Sequence, residues 1–180
     1  MKVIGFCGLP GSGKSTVLRA IEDLGIIVTM GDVVRNEAKR RNLEPSDENL
    51  GKIAQELRKN YGSEIIAEKC VNFIKKIERE VCFIDGLRSM AEVKVFRKNW
   101  KFPLIAIVVD ENIRYQRLSN RKRPDDPNSE SEIRDRDNRE ISFGLNEVIE
   151  NANYKINNNL SEVDVQKETR ALIFKIIEDY

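Results

Sequence analysis

The chain has 180 residues, 40% of them hydrophobic, which is enough for one substantial core and gives no sign of a second domain. Lys and Arg number 31 against 30 Asp and Glu, so the net charge of +1 excludes a global pull toward nucleic acid, and local patches must carry any anion binding. Histidine is absent, which removes the commonest general base, the usual zinc ligand and the Ser-His or Cys-His nucleophile pairs. Any catalysis must therefore run on Lys, Arg, Asp and a metal ion.

In chain order, Lys2 to Cys7 (KVIGFC) is a short β-rich run followed at once by glycines, which predicts a buried strand ending in a functional loop. Val17, Leu18, Ile21 and Leu24 then form an apolar stripe at helical spacing, with Gly25 as the stop. Ile26 to Thr29 is the second strand. Helical periodicity runs from Gly31 to about Arg41 and from about Ser46 to Ile77, broken near Pro45 and at Tyr61-Gly62. VCFID (Val81 to Asp85) and LIAIVVD (Leu104 to Asp110) are continuous apolar runs, as strands covered on both faces should be. A charged helix from about Glu111 to Lys122 leads into RPDDPNSESE, read as a polar loop. Two further helical stretches, a short strand at Asn153 to Ile156 and an amphipathic helix from about Ser161 to Glu178 complete the chain. Strands alternating with helices predict a five-stranded parallel sheet with helices on both faces, a three-layer α/β/α fold. Cys7, Cys70 and Cys82 are odd in number, far apart and set in or beside apolar runs, so they read as buried hydrophobes of a reducing cytosol. No apolar stretch approaches the roughly 18 residues of a membrane span. The expectation is a cytoplasmic protein with no membrane partner.

The segment GLPGSGKS, Gly8 to Ser15, fits G-x-x-x-x-G-K-[ST] with Thr16 next, between a predicted strand and a predicted helix. Gly11 and Gly13 let the backbone approach phosphate oxygens, with Pro10 and Ser12 in the same turn. Lys14 supplies a point charge for the β and γ phosphates, and the Ser15 hydroxyl can ligate magnesium. These features predict a nucleoside triphosphate, ATP in the first instance, bound with Mg2+ on a P-loop NTPase fold. A carboxylate is needed to hold the metal. Asp85 ends an apolar run and so emerges at the carboxyl edge of a strand, where parallel sheets put their ligand crevice. Asp110 ends another such run. If the third strand lies beside the first, Asp85 reaches the metal through a water and Asp110 caps the following helix.

GLPGSGKST, TMGDVVR (Thr29 to Arg35) and FIDGLRS (Phe83 to Ser89) together resemble, in order and separation, the successive signatures of nucleoside monophosphate kinases, adenylate kinases especially, over nearly the whole chain. The resemblance implies a core of 1–30, 80–122 and 140–180, a helical acceptor-binding region at about 31–79, and a lid at about 123–135. It implies that Arg35 and Arg88 grip an acceptor phosphate, that Gly31 and Asp32 shape the acceptor pocket, and that Glu92 stands where the family's base-reading Gln lies. A carboxylate there can accept from adenine or guanine, which makes AMP or another purine monophosphate the expected acceptor. Charge logic points the same way, since planar Arg forks bind phosphate oxygens bidentately where Lys cannot. Arg117 and Arg121, four apart on one helix face, precede the polar loop. By the same resemblance they contribute to a closing lid, with Arg136 on its far side chosen over Arg134 and Arg139. The third signature is one residue shorter than the family pattern and lacks its proline. VVDENIRYQRLSNR and ANYKINNN also resemble dephospho-coenzyme A kinases. A nucleotide-binding regulator without rapid turnover and a nucleic-acid end kinase complete the alternatives. Oligomeric state is not legible in the sequence.

Overall fold

The computed structural model describes residues 1–121 and 129–179, the side chain of Arg121 excepted. Five parallel strands, β1 (Lys2–Cys7), β2 (Ile26–Thr29), β3 (Val81–Asp85), β4 (Leu104–Val108) and β5 (Tyr154–Asn157), form one sheet in the order β2-β3-β1-β4-β5. Among the described residues the helices are α1 (Lys14–Arg19), α2 (Met30–Arg40), α3 (Asp47–Tyr61), α4 (Ile65–Ile74), α5 (Met90–Asn99), α6 (Glu111–Arg121), α7 (Glu130–Ser142), α8 (Leu145–Glu150) and α9 (Glu162–Asp179). The α/β reading and its five-stranded parallel sheet therefore hold.

Alternation along the central strands sorts side chains into two cores. Ile4, Phe6, Phe83, Ile105 and Ile107 pack with Val17 and Leu18 of α1 and with Val165, Ile173 and Ile176 of α9. Val3, Cys7, Cys82, Ile84, Leu104 and Ala106 point the other way, against helices α2 to α5 and α8. Because β1, β3 and β4 are covered on both faces, they read as unbroken apolar runs. The three cysteines are free and buried, and burial pushes each thiol up to about 12.

Several boundaries depart from the sequence pattern. Helix α1 stops at Arg19, because the chain tightens into three-residue turns: the N–H groups of Ala20, Ile21 and Leu24 donate to the carbonyls of Val17, Leu18 and Ile21. Helix α5, which the apolar spacing did not single out, is started by Ser89, whose Oγ accepts from the Glu92 N–H. Residues 123–128 of the expected lid lie outside the described residues. Its far part is helix: Ser129 caps α7 by accepting from the Glu132 N–H, and Ile133 is buried. The polar loop thus ends three residues earlier than its composition suggested.

Two chain reversals place the crevice. From β1 the chain crosses to β2, returns to β3 beside β1, and then crosses to β4 on the other side. In open parallel sheets ligands bind outside the carboxyl ends of the strands at such a reversal, here at the end of β1.

Candidate active site

The turn after β1 is built on glycine. Gly8, Gly11 and Gly13 have φ of 150°, 80° and 88°, a region costly for other residues. Space forbids side chains as well. A Cβ on Gly13 would lie 1.9 Å from Nδ2 of Asn158, and one on Gly11 would lie 2.8 Å from side-chain carbons of Arg114 and Leu118. The loop is therefore pressed onto α6 and onto the turn after β5.

Two side chains that the sequence reading passed over hold it there. Arg114 is 4% exposed; its Nη1 donates to the Pro10 carbonyl at 3.0 Å, and its guanidinium meets the Asp137 carboxylate at 2.9 and 2.5 Å. Asn158 is 2% exposed and donates from Nδ2 to the Ser12 carbonyl at 2.7 Å, while its N–H donates to the Val108 carbonyl. Both had readable signals. Arg114 lies three residues before Arg117 on the same helix face, and Asn158 follows a strand at its carboxyl end.

Lys14 Nζ donates to the Gly8 carbonyl at 2.6 Å. Removal from water pulls its pKa below the usual lysine value, an effect that the nearby Asp85 and Glu140 carboxylates oppose. Asp85 pairs in register with Phe6 of β1 and Thr29 of β2, so β3 does lie beside β1. Asp85 Oδ1 is buried with no hydrogen-bond partner among the described residues. Asp110 lies elsewhere: its N–H donates to Asn159 Oδ1, and its own carboxylate accepts from Asn159 Nδ2. Its carbonyl accepts the Arg114 N–H, the first bond of α6.

A cavity of about 150 Å³ brings together Lys14, Ser15, Asp85, Arg35, Arg88 and Arg136, with Gly8, Pro10, Gly11, Gly13 and Gly31 in its walls. A larger cleft of about 520 Å³ lies on the other side of the loop, lined by Thr16, Ile113, Gln116, Arg117, Asn120 and Asn158 among others. Arg117 Nη2 donates to the Asn158 carbonyl, and its Nη1 is buried without a partner among the described residues. Arg121 lies on α6, but its side chain is outside the described residues.

Across the same cavity, Arg35 Nη1 donates to Asp32 Oδ1 at 2.8 Å, and Arg88 Nε is 2.7 Å from Glu140 Oε2. Gly86, at φ 95°, turns the chain so that Leu87 enters the core and Arg88 faces the cavity. One fewer residue than the family pattern suffices for that path. Glu92 requires a correction. It is fully buried, accepting from Arg58 Nη2 and from the Arg88 N–H, both at 2.8 Å. A carboxylate consumed by these two donors does not face the cavity and does not read an acceptor base; it fixes the turn that carries Arg88. Arg58 also lies over the Phe143 ring.

Magnesium fits the donor set. Among the described residues no three carboxylate or cysteine groups cluster to cage a metal. Mg2+, however, keeps most of its waters and takes one or two protein oxygens beside phosphates, which the Ser15 hydroxyl and the unpartnered Asp85 oxygen can supply.

The AAA-domain family matches residues 7–134, from the end of β1 through the phosphate loop into α7. A UPF0200 protein of Methanosarcina mazei is 40% identical over 181 residues, covering 99% of this chain and 97% of that protein. This chain belongs to the UPF0200 family. A UPF0200/UPF0201 protein of Archaeoglobus fulgidus is 44% identical over 184 residues, yet this UPF0200 chain spans only 57% of its length. Among solved structures, TT1252 from Thermus thermophilus superposes with a TM-score of 0.64 at 16% identity, covering 97% of each chain. Shikimate kinase from Acinetobacter baumannii in complex with shikimate superposes with a TM-score of 0.57 at 15% identity, covering 99% of this chain and 94% of that one. The UPF0200 chain therefore has the P-loop kinase-like fold. Among its described residues no helix is long and apolar enough to cross a membrane.

Proposed function

We propose that the chain is an ATP-dependent phosphotransferase acting on a small anionic acceptor. The observation that carries this reading is the single cavity in which Lys14, Ser15 and Asp85 face Arg35, Arg88 and Arg136. The donor triphosphate lies along Gly8 to Thr16, with its nucleoside in the cleft beside Arg117, Gln116 and Asn120. Ser15 and Asp85 hold Mg2+, which when bound neutralises phosphate charge. An acceptor oxygen forms the new bond to the γ-phosphorus as the bond to the bridging oxygen breaks, and ADP leaves with that electron pair. Such transfer needs positioning and charge stabilisation more than a base, which suits a site of Lys, Arg and Asp without histidine.

Nucleoside monophosphates, AMP included, are the first acceptor class on the resemblance, with Arg35 and Arg88 as phosphate ligands and Gly31 and Asp32 beside them. Glu92 is no longer available to choose a purine. Dephospho-coenzyme A is a second candidate in the same class of phosphorylated acceptors. A nucleotide-binding regulator is the other reading, favoured by the internal pairing of Arg88 with Glu140 and Arg35 with Asp32. A coupled assay of ADP release over AMP, GMP, CMP, UMP and dephospho-coenzyme A separates them. Turnover with one acceptor well above the acceptor-free rate, lost in Asp85→Asn and kept in Asp110→Asn, is the expected result. ATP binding without acceptor-dependent release across the panel transfers the case to the regulator.

A further inference from the structure

Behind the phosphate cavity lies a second hollow of about 50 Å³, walled by Asp47, Leu50, Gly51, Ala54, Arg139 and Phe143. The two share Gly31, Arg35, Arg88, Arg136 and Glu140, so they adjoin. Four arginines face two carboxylates across the second hollow, an excess of positive charge in a chain that is otherwise nearly neutral.

Asp47 sits in the first turn of α3. It accepts two bonds from Arg139 Nη2, both at 2.7 Å, and its Oδ1 is 3.4 Å from Arg136 Nε. Gly51, one turn further along, explains how Arg139 gets so close. A Cβ there would lie 3.1 Å from three atoms of the guanidinium. Glycine inside a 15-residue helix is unfavourable relative to alanine, so its presence here marks a close approach of the guanidinium to the helix backbone.

The Asp47 contact differs from a permanent ion pair. The Arg114–Asp137 side chains are 5% and 10% exposed, whereas Asp47 is 31% exposed. Asp47 also follows an exposed connection at residues 42–45, and at the start of a helix its carboxylate is stabilised without any arginine. It can therefore leave Arg139 at modest cost.

We propose that Arg139 with Arg136 forms a second anion subsite of the acceptor pocket, and that Asp47 occupies it as an internal stand-in until an acceptor arrives. This rests on the reading of the adjoining cavity as a phosphoryl-transfer site. The acceptor then carries two anionic groups: one toward Lys14, Arg35 and Arg88, the other, a carboxylate or a phosphate, at Arg139.

Calorimetry on ADP-saturated protein with three probes tests this. Glycerol 3-phosphate has one anionic group, 3-phosphoglycerate adds a carboxylate, and propane-1,3-diol bisphosphate adds a second phosphate. One of the two probes with a second anionic group binds about tenfold more tightly than glycerol 3-phosphate, as expected for an added charge-assisted contact, and the better probe identifies the second anion. That advantage disappears in Arg139→Gln. In Asp47→Asn, which removes the internal competitor but keeps both arginines, the affinity of the better probe rises several-fold while glycerol 3-phosphate is unaffected. Equal binding of all three probes by the wild type, or a loss of affinity in Asp47→Asn, overturns the subsite. ADP binding is measured first. If it fails, the donor reading is at fault, and the same comparisons on nucleotide-free protein still judge Arg139 and Asp47.

Discussion

At the residue scale, Lys14 combines function with a cost to the fold. Its ammonium is withdrawn from water, and desolvation lowers its pKa despite Asp85 and Glu140 nearby. The unfolded chain therefore binds this proton more tightly than the folded one. Stability rises with pH between the folded pKa and the unfolded value of 10.5, and below the folded pKa the penalty is present in full. Lys14→Met should abolish triphosphate binding yet raise the stability of the empty protein at neutral pH, by on the order of 1 kcal/mol. Urea melts at neutral pH and above pH 10 check both parts: the gain must shrink as the wild-type lysine deprotonates. A variant less stable than wild type at neutral pH would mean that the Nζ bond to the Gly8 carbonyl outweighs desolvation.

At the element scale, the phosphate loop is shaped by what lies under it. Arg114 bridges the Pro10 carbonyl on one side and Asp137 of α7 on the other, so one side chain ties α6 and α7 to the loop. Removing one partner of a buried pair strands the other charge, so Asp137→Ala should cost about 3 kcal/mol. It should also weaken ATP binding, because Arg114 loses its anchor. Asp23→Ala, which breaks the exposed pair with Arg170, should leave both the urea midpoint and ATP affinity nearly unchanged. Comparable losses in the two variants would contradict the assignment.

The same contacts mark how much was readable beforehand. All five strands, the phosphate loop and the breaks at Pro45 and Gly62 were legible; for β1, β3 and β4, the loop and the breaks the reason is that double burial, glycine geometry and helix breaking are local properties. Helix α5 was not, since Val93, Val95 and Phe96 mix a two-residue with a helical spacing. Asp85 could be chosen over Asp110 only on the condition that β3 borders β1. Pairings such as Asp47 with Arg139 and Arg114 with Asp137 join residues far apart in sequence, and periodicity carries no information about them. Glu92 was misread for the same reason: its partner Arg58 comes from α3.

At the scale of the whole molecule, net charge and local field separate. With 31 basic and 30 acidic side chains the chain has almost no net self-repulsion, so added salt should move its unfolding midpoint little. The crevice is different. Arg35 comes from α2, Arg88 from the turn after β3, and Arg136 from α7, all converging on the cavity that holds Lys14. Attraction between that cluster and a polyanion is screened once the Debye length falls below the span of the site, about 10 Å at 0.1 M salt. Raising sodium chloride from about 0.05 to about 0.5 M should weaken binding of an ATP-acceptor bisubstrate analogue by at least roughly tenfold, while the thermal midpoint of the empty protein shifts by no more than about 2 °C. Because Arg35 and Arg88 sit apart from the loop, α6 and α7 that Arg114 ties together, the analogue should also slow hydrogen exchange in α2 and in the turn after β3, and ADP alone should protect only the phosphate loop, α6 and α7. If ADP alone protected α2 as fully as the bisubstrate analogue, Arg35 would be serving the donor and not an acceptor, and the division of the crevice into two sides would fall.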